Sequence, residues 1–157
     1  MKTLAEAFHH TLKDVYFAEN ALCKALPKMA DAVSDEALAQ AFRDHEAETR
    51  EQVETLKKVF ETIDAPAEGE KCDAMEGLLK EGEGLMAEAT GKALGATMIG
   101  IAQAVEHYEI ARYGTLRQWA KELGNTRAHD LLSQILDVEK ATNAKLTGLA
   151  VNAARGA

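Results

Sequence analysis

The stretch AVEHYEIARYG, residues 104–114, decides how the chain is to be read. Wound as a helix at 100° per residue, it puts Glu106 and Glu109 on one face with Met98, Ile99, Ala102, Val105, Tyr113 and Leu116. Gln103, Arg117 and Lys121 fall on the far side. Two carboxylates three residues apart therefore stand where a helix normally places leucine. A buried, unpaired carboxylate is costly, so something in the fold must offset it.

The rest of the chain supports helix throughout. Its 157 residues suffice for one domain with a sizeable core, and one domain over 1–157 is expected. Apolar residues at 46% and charged residues at 28% give an ordinary globular balance. Prolines number two and glycines eleven, few enough to favour an all-α protein. The net charge of −8 argues against binding nucleic acid or anionic membrane, which needs clustered Lys and Arg. No apolar run is long enough to span a membrane. MKTLAEAFHHTLKDVYFAEN at the N-terminus is amphipathic and lacks the apolar region of a signal peptide, so a cytoplasmic setting is expected. Cys23 and Cys72 form no metal or redox motif; Cys23 reads as a core filler and Cys72 as a loop or helix-start residue.

Four long helices are expected at roughly 3–33, 35–63, 92–123 and 127–154, with a short one at roughly 73–89. Pro27 should bend the first. Ser34 and Asp35 offer caps for the second, and DAPAEGEK, residues 64–71, is a loop. GNTR, 124–127, supplies Gly124 as a C-cap and Asn125 or Thr126 as an N-cap. Short connections make antiparallel hairpins of the first and last pairs of long helices. The long middle connection crosses the bundle, with the short helix inside it, as in the ferritin-like variant of the four-helix bundle.

Each long helix carries acid on its inner stripe near its middle. The first offers Glu19; the second offers His45, Glu48 and Gln52; the third offers Glu106 and Glu109; the fourth offers Glu139, with Asn143 one turn on. Singly, each has a bland reading. An inward Glu often snorkels, an interior His is more often hydrogen-bonded than metal-bound, and Gln52 reads as support for a ligand. Tyr16 and Tyr108 are candidate hydrogen-bond donors to the acids, His9 a packing residue and His107 a solvated one. Together they are harder to dismiss, because mid-helix residues of a bundle meet at one level. Five carboxylates there repel one another, and the inner stripes hold no Lys or Arg to neutralise them. Two divalent cations nearly balance the charge. Glu19, His45, Glu48, Glu106, Glu109 and Glu139 are therefore the candidate metal ligands. Oxygen-rich ligation with one imidazole suits iron or manganese better than zinc.

YFAENALCKALPKMA, AFRDHEAETREQVETLKKVF, KCDAMEGLLKEGE, QAVEHYEIARYGTLRQWAKELG and VEKATNAKLTGLA, in that order, resemble the YciF-like family of bacterial ferritin-like stress proteins. KCDAMEGL and EHYEIARYGTL are the most specific of these. The resemblance implies a dinuclear metal site in the bundle, a link to stress and a homodimer. In the wider di-iron class, two helices each give one Glu and two give Glu-x-x-His. That pattern carries over onto Glu19, Glu48, Glu106 and Glu139. The chain departs from it at His45-x-x-Glu48, which reverses the order, at Glu106-x-x-Glu109, which adds an acid, and after Glu139, where Thr142 and Asn143 replace a His.

Three function classes follow. One is a di-iron oxidase or ferroxidase acting on O2 or H2O2; another is a stress protein that binds metal without turnover; the third is a metal-free helical scaffold. Nothing in the sequence builds the pore helix of a storage cage or the basic tail of a DNA-coating mini-ferritin. Whether the chain is an enzyme stays open at this point.

Overall fold

Thr3 starts the first helix, α1 (Leu4–Ala32): its hydroxyl accepts from the Glu6 amide while the Glu6 carboxylate accepts from the Thr3 amide. This box satisfies two of the N–H groups that a helix start leaves over. In the computed structural model, which describes the backbone of residues 1–154, α1 runs through Pro27 as one continuous helix. Helix α2 (Glu36–Glu61) is capped by Asp35, whose Oδ1 accepts from the Leu38 amide at 2.9 Å. Helix α3 (Asp73–Glu88) begins at Cys72, and α4 (Gly91–Glu122) follows after one short break. Gly124, at φ +71°, ends α4 in the left-handed conformation that glycine tolerates. Asn125, not Thr126, caps α5 (Thr126–Ala154) by accepting from the Ala128 amide. The same Asn125 donates to Thr62 Oγ1 at 2.8 Å, which ties the end of α2 to the α4–α5 turn. The described residues contain no strand.

The inner stripes build two separate apolar blocks, and these set the helix directions. One block joins Leu22, Leu26 and Met29 of α1 to Leu38 and Phe42 of α2, Met98 and Ile99 of α4, and Leu146 of α5. The other joins Phe8 and Leu12 of α1 to Leu56 and Phe60 of α2, Leu116 and Ala120 of α4, and Leu132 of α5. The late half of α1 thus meets the early halves of α2 and α4 and the late half of α5. Helices α2 and α4 run parallel to each other and opposite to α1 and α5. Residues 62–90 carry the chain back along the bundle, as the long crossover requires. Helix α3 lies outside, against α4 and α1, with Met75 buried and Gly82 close to Ile101. A Cβ at Gly82 would stand 3.1 Å from Ile101 Cγ2, so the missing side chain sets how near α3 approaches α4. Cys23 is half-buried rather than a core filler, whereas Cys72 is the buried residue at the α3 start. No helix among the described residues is long and apolar enough to cross a membrane.

Candidate metal centre

Between the two apolar blocks lies a polar layer. On α1, Glu19 follows Val15 and Ala18 and precedes Leu22. On α2, His45, Thr49 and Gln52 separate Phe42 from Leu56. On α4, Glu106 and Glu109 separate Val105 from Tyr113. On α5, Glu139 and Thr142 separate Leu136 from Leu146. All of these residues are buried. The helical period that buries the leucines buries the acids too, because they occupy the same stripe positions.

Four of the six candidate ligands form one tight group. His45, Glu106, Glu109 and Glu139 each present a ligand atom, and these atoms lie within 4.8 Å of one another. Ligand atoms on opposite sides of one ion, at about 2.0–2.4 Å each, span a comparable distance. The other two flank the group. Glu19 is fully buried on the side of Glu109 and Glu139, whose carboxyls repel it or are repelled by it. Glu48 is half-buried on the side of Glu106 and Glu139, and its charge acts on both.

The layer is short of hydrogen bonds. Tyr113 donates its hydroxyl to Glu19 Oε1, Gln52 Nε2 donates to Glu139 Oε1 at 2.6 Å, and Thr142 Oγ1 donates to Glu48 Oε2 at 3.1 Å. Glu19 Oε2, Glu139 Oε2, both oxygens of Glu106 and Glu109, both ring nitrogens of His45, Thr49 Oγ1 and Gln52 Oε1 are buried without a partner. His45 Nε2 comes within 3.1 Å of Glu106 Oε1 but makes no aligned hydrogen bond with it. Each such group costs about 1–3 kcal/mol when left unmet. No Lys or Arg is buried among the described residues to offset the acids.

Burial sets the direction in which these groups titrate when no cation offsets their charge. Desolvation, then the charge of Glu139, pushes Glu106 up to about 11. Desolvation first, then the neighbouring acids, pushes Glu19 and Glu109 well above the carboxylate range. Desolvation raises Glu139 only to about 7, because the approach of Glu106 and then the hydrogen bond from Gln52 favour its charged form. Desolvation lowers His45 to about 4, so its imidazole is neutral at pH 7 and both nitrogens are not donors at once. Since Glu106 and His45 are both uncharged there, their approach is not an ion pair. The set holds neutral imidazole and oxygen donors that one or more divalent cations would deprotonate and satisfy together. The residues fit such an ion.

Some placements differ from the sequence reading. Tyr113, not Tyr16 or Tyr108, donates to a carboxylate. Tyr16 packs edge-on against Phe60, as does His9, and Tyr108 meets Cys72 Sγ at 2.9 Å. Thr142 faces the layer in place of Asn143, whose Oδ1 instead accepts from Gln103. The signals were present: Tyr113 follows Glu109 by four residues and Thr142 follows Glu139 by three, each on the same face. His107 is exposed, as its wheel position implies.

Over residues 3–156 the chain matches the family described as a domain of unknown function, DUF892. It is 46% identical over 155 residues to Protein YciF of Escherichia coli (strain K12), covering 97% of this chain and 93% of that one. The crystal structure of the E. coli stress protein YciF matches with a TM-score of 0.94 at 44% identity, covering 99% of each chain. YcfI from Rhodopseudomonas palustris, described as a candidate structural protein, matches with a TM-score of 0.91 at 41% identity, over 93% of this chain and 94% of that one.

Proposed function

The chain is a YciF-like member of the DUF892 family, and from that premise we propose that it is a ferritin-like stress protein holding two divalent cations, iron or manganese, in its polar layer. The observation that carries this reading is the set of buried carboxyl and imidazole atoms without partners and without a buried cation. Glu19, Glu48, Glu106, Glu109, Glu139 and His45 would hold the ions. A bound pair of Fe(II) ions would supply the two electrons that, with two protons, reduce H2O2 to two waters, and on this reading the activity is that of a peroxide- or oxygen-consuming ferroxidase.

The chain's own residues do the rest. Gln52 orients Glu139 and Tyr113 orients Glu19, each leaving the second oxygen free. The apolar blocks on either side exclude bulk water and so strengthen every charge interaction between them. Glu106 and Glu109, whose pKa values burial raises, would release their protons on holding a cation.

The test separates ligands from bystanders. Glu106→Ala and Glu139→Ala should each lower the metal content of protein purified without chelator, as should Glu19→Ala and Glu48→Ala. His107→Ala should leave it unchanged. If His107→Ala empties the protein and Glu106→Ala does not, the metal reading of α4 is wrong. Fe(II) protein kept anaerobic and then given H2O2 should gain near-ultraviolet absorbance faster than free iron in the same buffer. Metal retained without that gain would favour sequestration over turnover.

A further inference from the structure

An ion that reaches the polar layer must pass between helices, because apolar blocks close both ends of it. Among the described residues, two cavities are candidate routes, and one of them reaches the layer. The larger, about 290 Å³, lies in the trough between α1 and α3. Its floor is apolar, and its rim carries Lys24 and Lys28, the latter paired with Glu83 at 3.4 Å, so it offers a cation no unpaired acid. The smaller, about 170 Å³, opens between α2 and α5. Glu48, Glu51, Gln52 and Thr55 line it from α2, and Gln134 and Val138 from α5.

Gln52 connects this cavity to the layer. It is only 4% exposed, its Nε2 donates to Glu139 at 2.6 Å, and its Oε1 has no partner. A buried amide oxygen left unmet on the wall of an acidic cavity is suited to a cation's coordination sphere. Glu48 stands beside it with Oε2 taken by Thr142, and Glu51 is exposed one helical turn further out. Acid at the mouth, acid half-way and amide at the base form a graded path in a molecule of net charge −8.

We propose that the cavity between α2 and α5 is the admission site for divalent cations: Glu51 and Glu48 capture the ion, Gln52 Oε1 takes it from them, and Glu139 receives it. This rests on the metal-binding reading above. Gln52 stands at the inner end of the path: its Nε2 holds Glu139 Oε1, its own Oε1 is left for the ion, and Glu139 Oε2 is unpartnered and able to receive it. Val138 is 37% exposed and lines the same cavity, so a larger side chain there fills the path without replacing any candidate ligand.

Rapid-mix uptake of Co(II) tests the route, with the ion left in solution read by a chromogenic chelator at each time point. Val138→Phe should slow uptake about tenfold or more, since loading then waits on a conformational opening, while the final stoichiometry and the apo melting temperature stay as in wild type. Gln134→Phe, a second plug from α5, should do the same should the first variant fold poorly. Glu51→Gln should slow uptake by about threefold and weaken its dependence on ionic strength, the signature of electrostatic capture. Ala25→Phe, in the other trough, should load at the wild-type rate. Wild-type rates in both plug variants would overturn the route and leave the metal site standing. A wild-type protein that takes up no Co(II) at all would overturn the metal reading itself.

Discussion

Replacing Glu106 and Glu109 together with leucine should raise the stability of the metal-free protein by about 3–6 kcal/mol at pH 7 and abolish its response to metal. Both side chains are buried, and all four of their oxygens lack partners. Keeping one carboxyl of ordinary pKa 4.5 protonated at pH 7 costs about 3 kcal/mol, and Glu106, pushed up to about 11, bears that cost in full. Glu109 is also raised well above pH 7, by desolvation and then by Glu19 and Glu139. Leucine fills similar space, lies between apolar blocks and removes the penalty, so the exchange of unpaired buried carboxyls for packed hydrophobes runs in the stabilising direction. In wild type, Mn(II) or Fe(II) at about 100 times its dissociation constant should add about 2.7 kcal/mol per site, and the double variant should gain nothing. Thermal melts with and without metal and chelator read both effects. A double variant that is strongly destabilised without metal would mean that the two acids are structural.

The metal-free protein should lose stability as the pH rises from about 5 to about 8, by about 1.4 kcal/mol per pH unit for each carboxyl that stays protonated only when folded. Glu19, Glu106, Glu109 and Glu139 all have raised folded-state pKa values. Such a group contributes its full stability below its unfolded value near 4.5 and loses it as the pH climbs toward the folded value. For Glu139 that loss is complete near pH 7; for Glu106 it continues to about 11. His45 has the opposite sign. Lowered to about 4 by burial, it contributes stability above its ordinary 6.5 and loses it as the pH falls toward 4. One histidine against four carboxyls leaves the net slope downward with rising pH. Metal inverts it, because a ligated carboxylate holds its charge and no longer needs a proton. Urea midpoints across the pH range, with chelator and with Mn(II), should slope in opposite directions. Parallel curves would show that the layer binds no cation.

The arrangement of the helices was legible because their apolar residues keep a 3.6-residue period and their ends carry ordinary caps. Asp35 and Gly124 act as their residue types imply. The acids were legible for the same reason in reverse: Glu19, Glu106, Glu109 and Glu139 interrupt stripes that otherwise read as core. What the sequence concealed depends on rotations finer than the period or on distant contacts. Thr142 and Asn143 lie three and four residues beyond Glu139 and both fit its face, so only packing decides that Thr142 turns inward. Tyr113 counted as apolar by position, and its hydroxyl matters because α1 brings Glu19 opposite it. The Cys72–Tyr108 contact joins residues 36 apart and depends on where the crossover lays α3. The cavity between α2 and α5 is a gap between two helix faces, and no single stretch of sequence encodes it.

Anomalous diffraction from a crystal soaked in Mn(II), collected near the manganese edge, tests the central claim most directly. The expected result is two peaks in the polar layer, within bonding distance of carboxyl oxygens from Glu106, Glu109 and Glu139, with His45 turned toward one of them. A map with clear protein density and no anomalous peak between the two apolar blocks would contradict it.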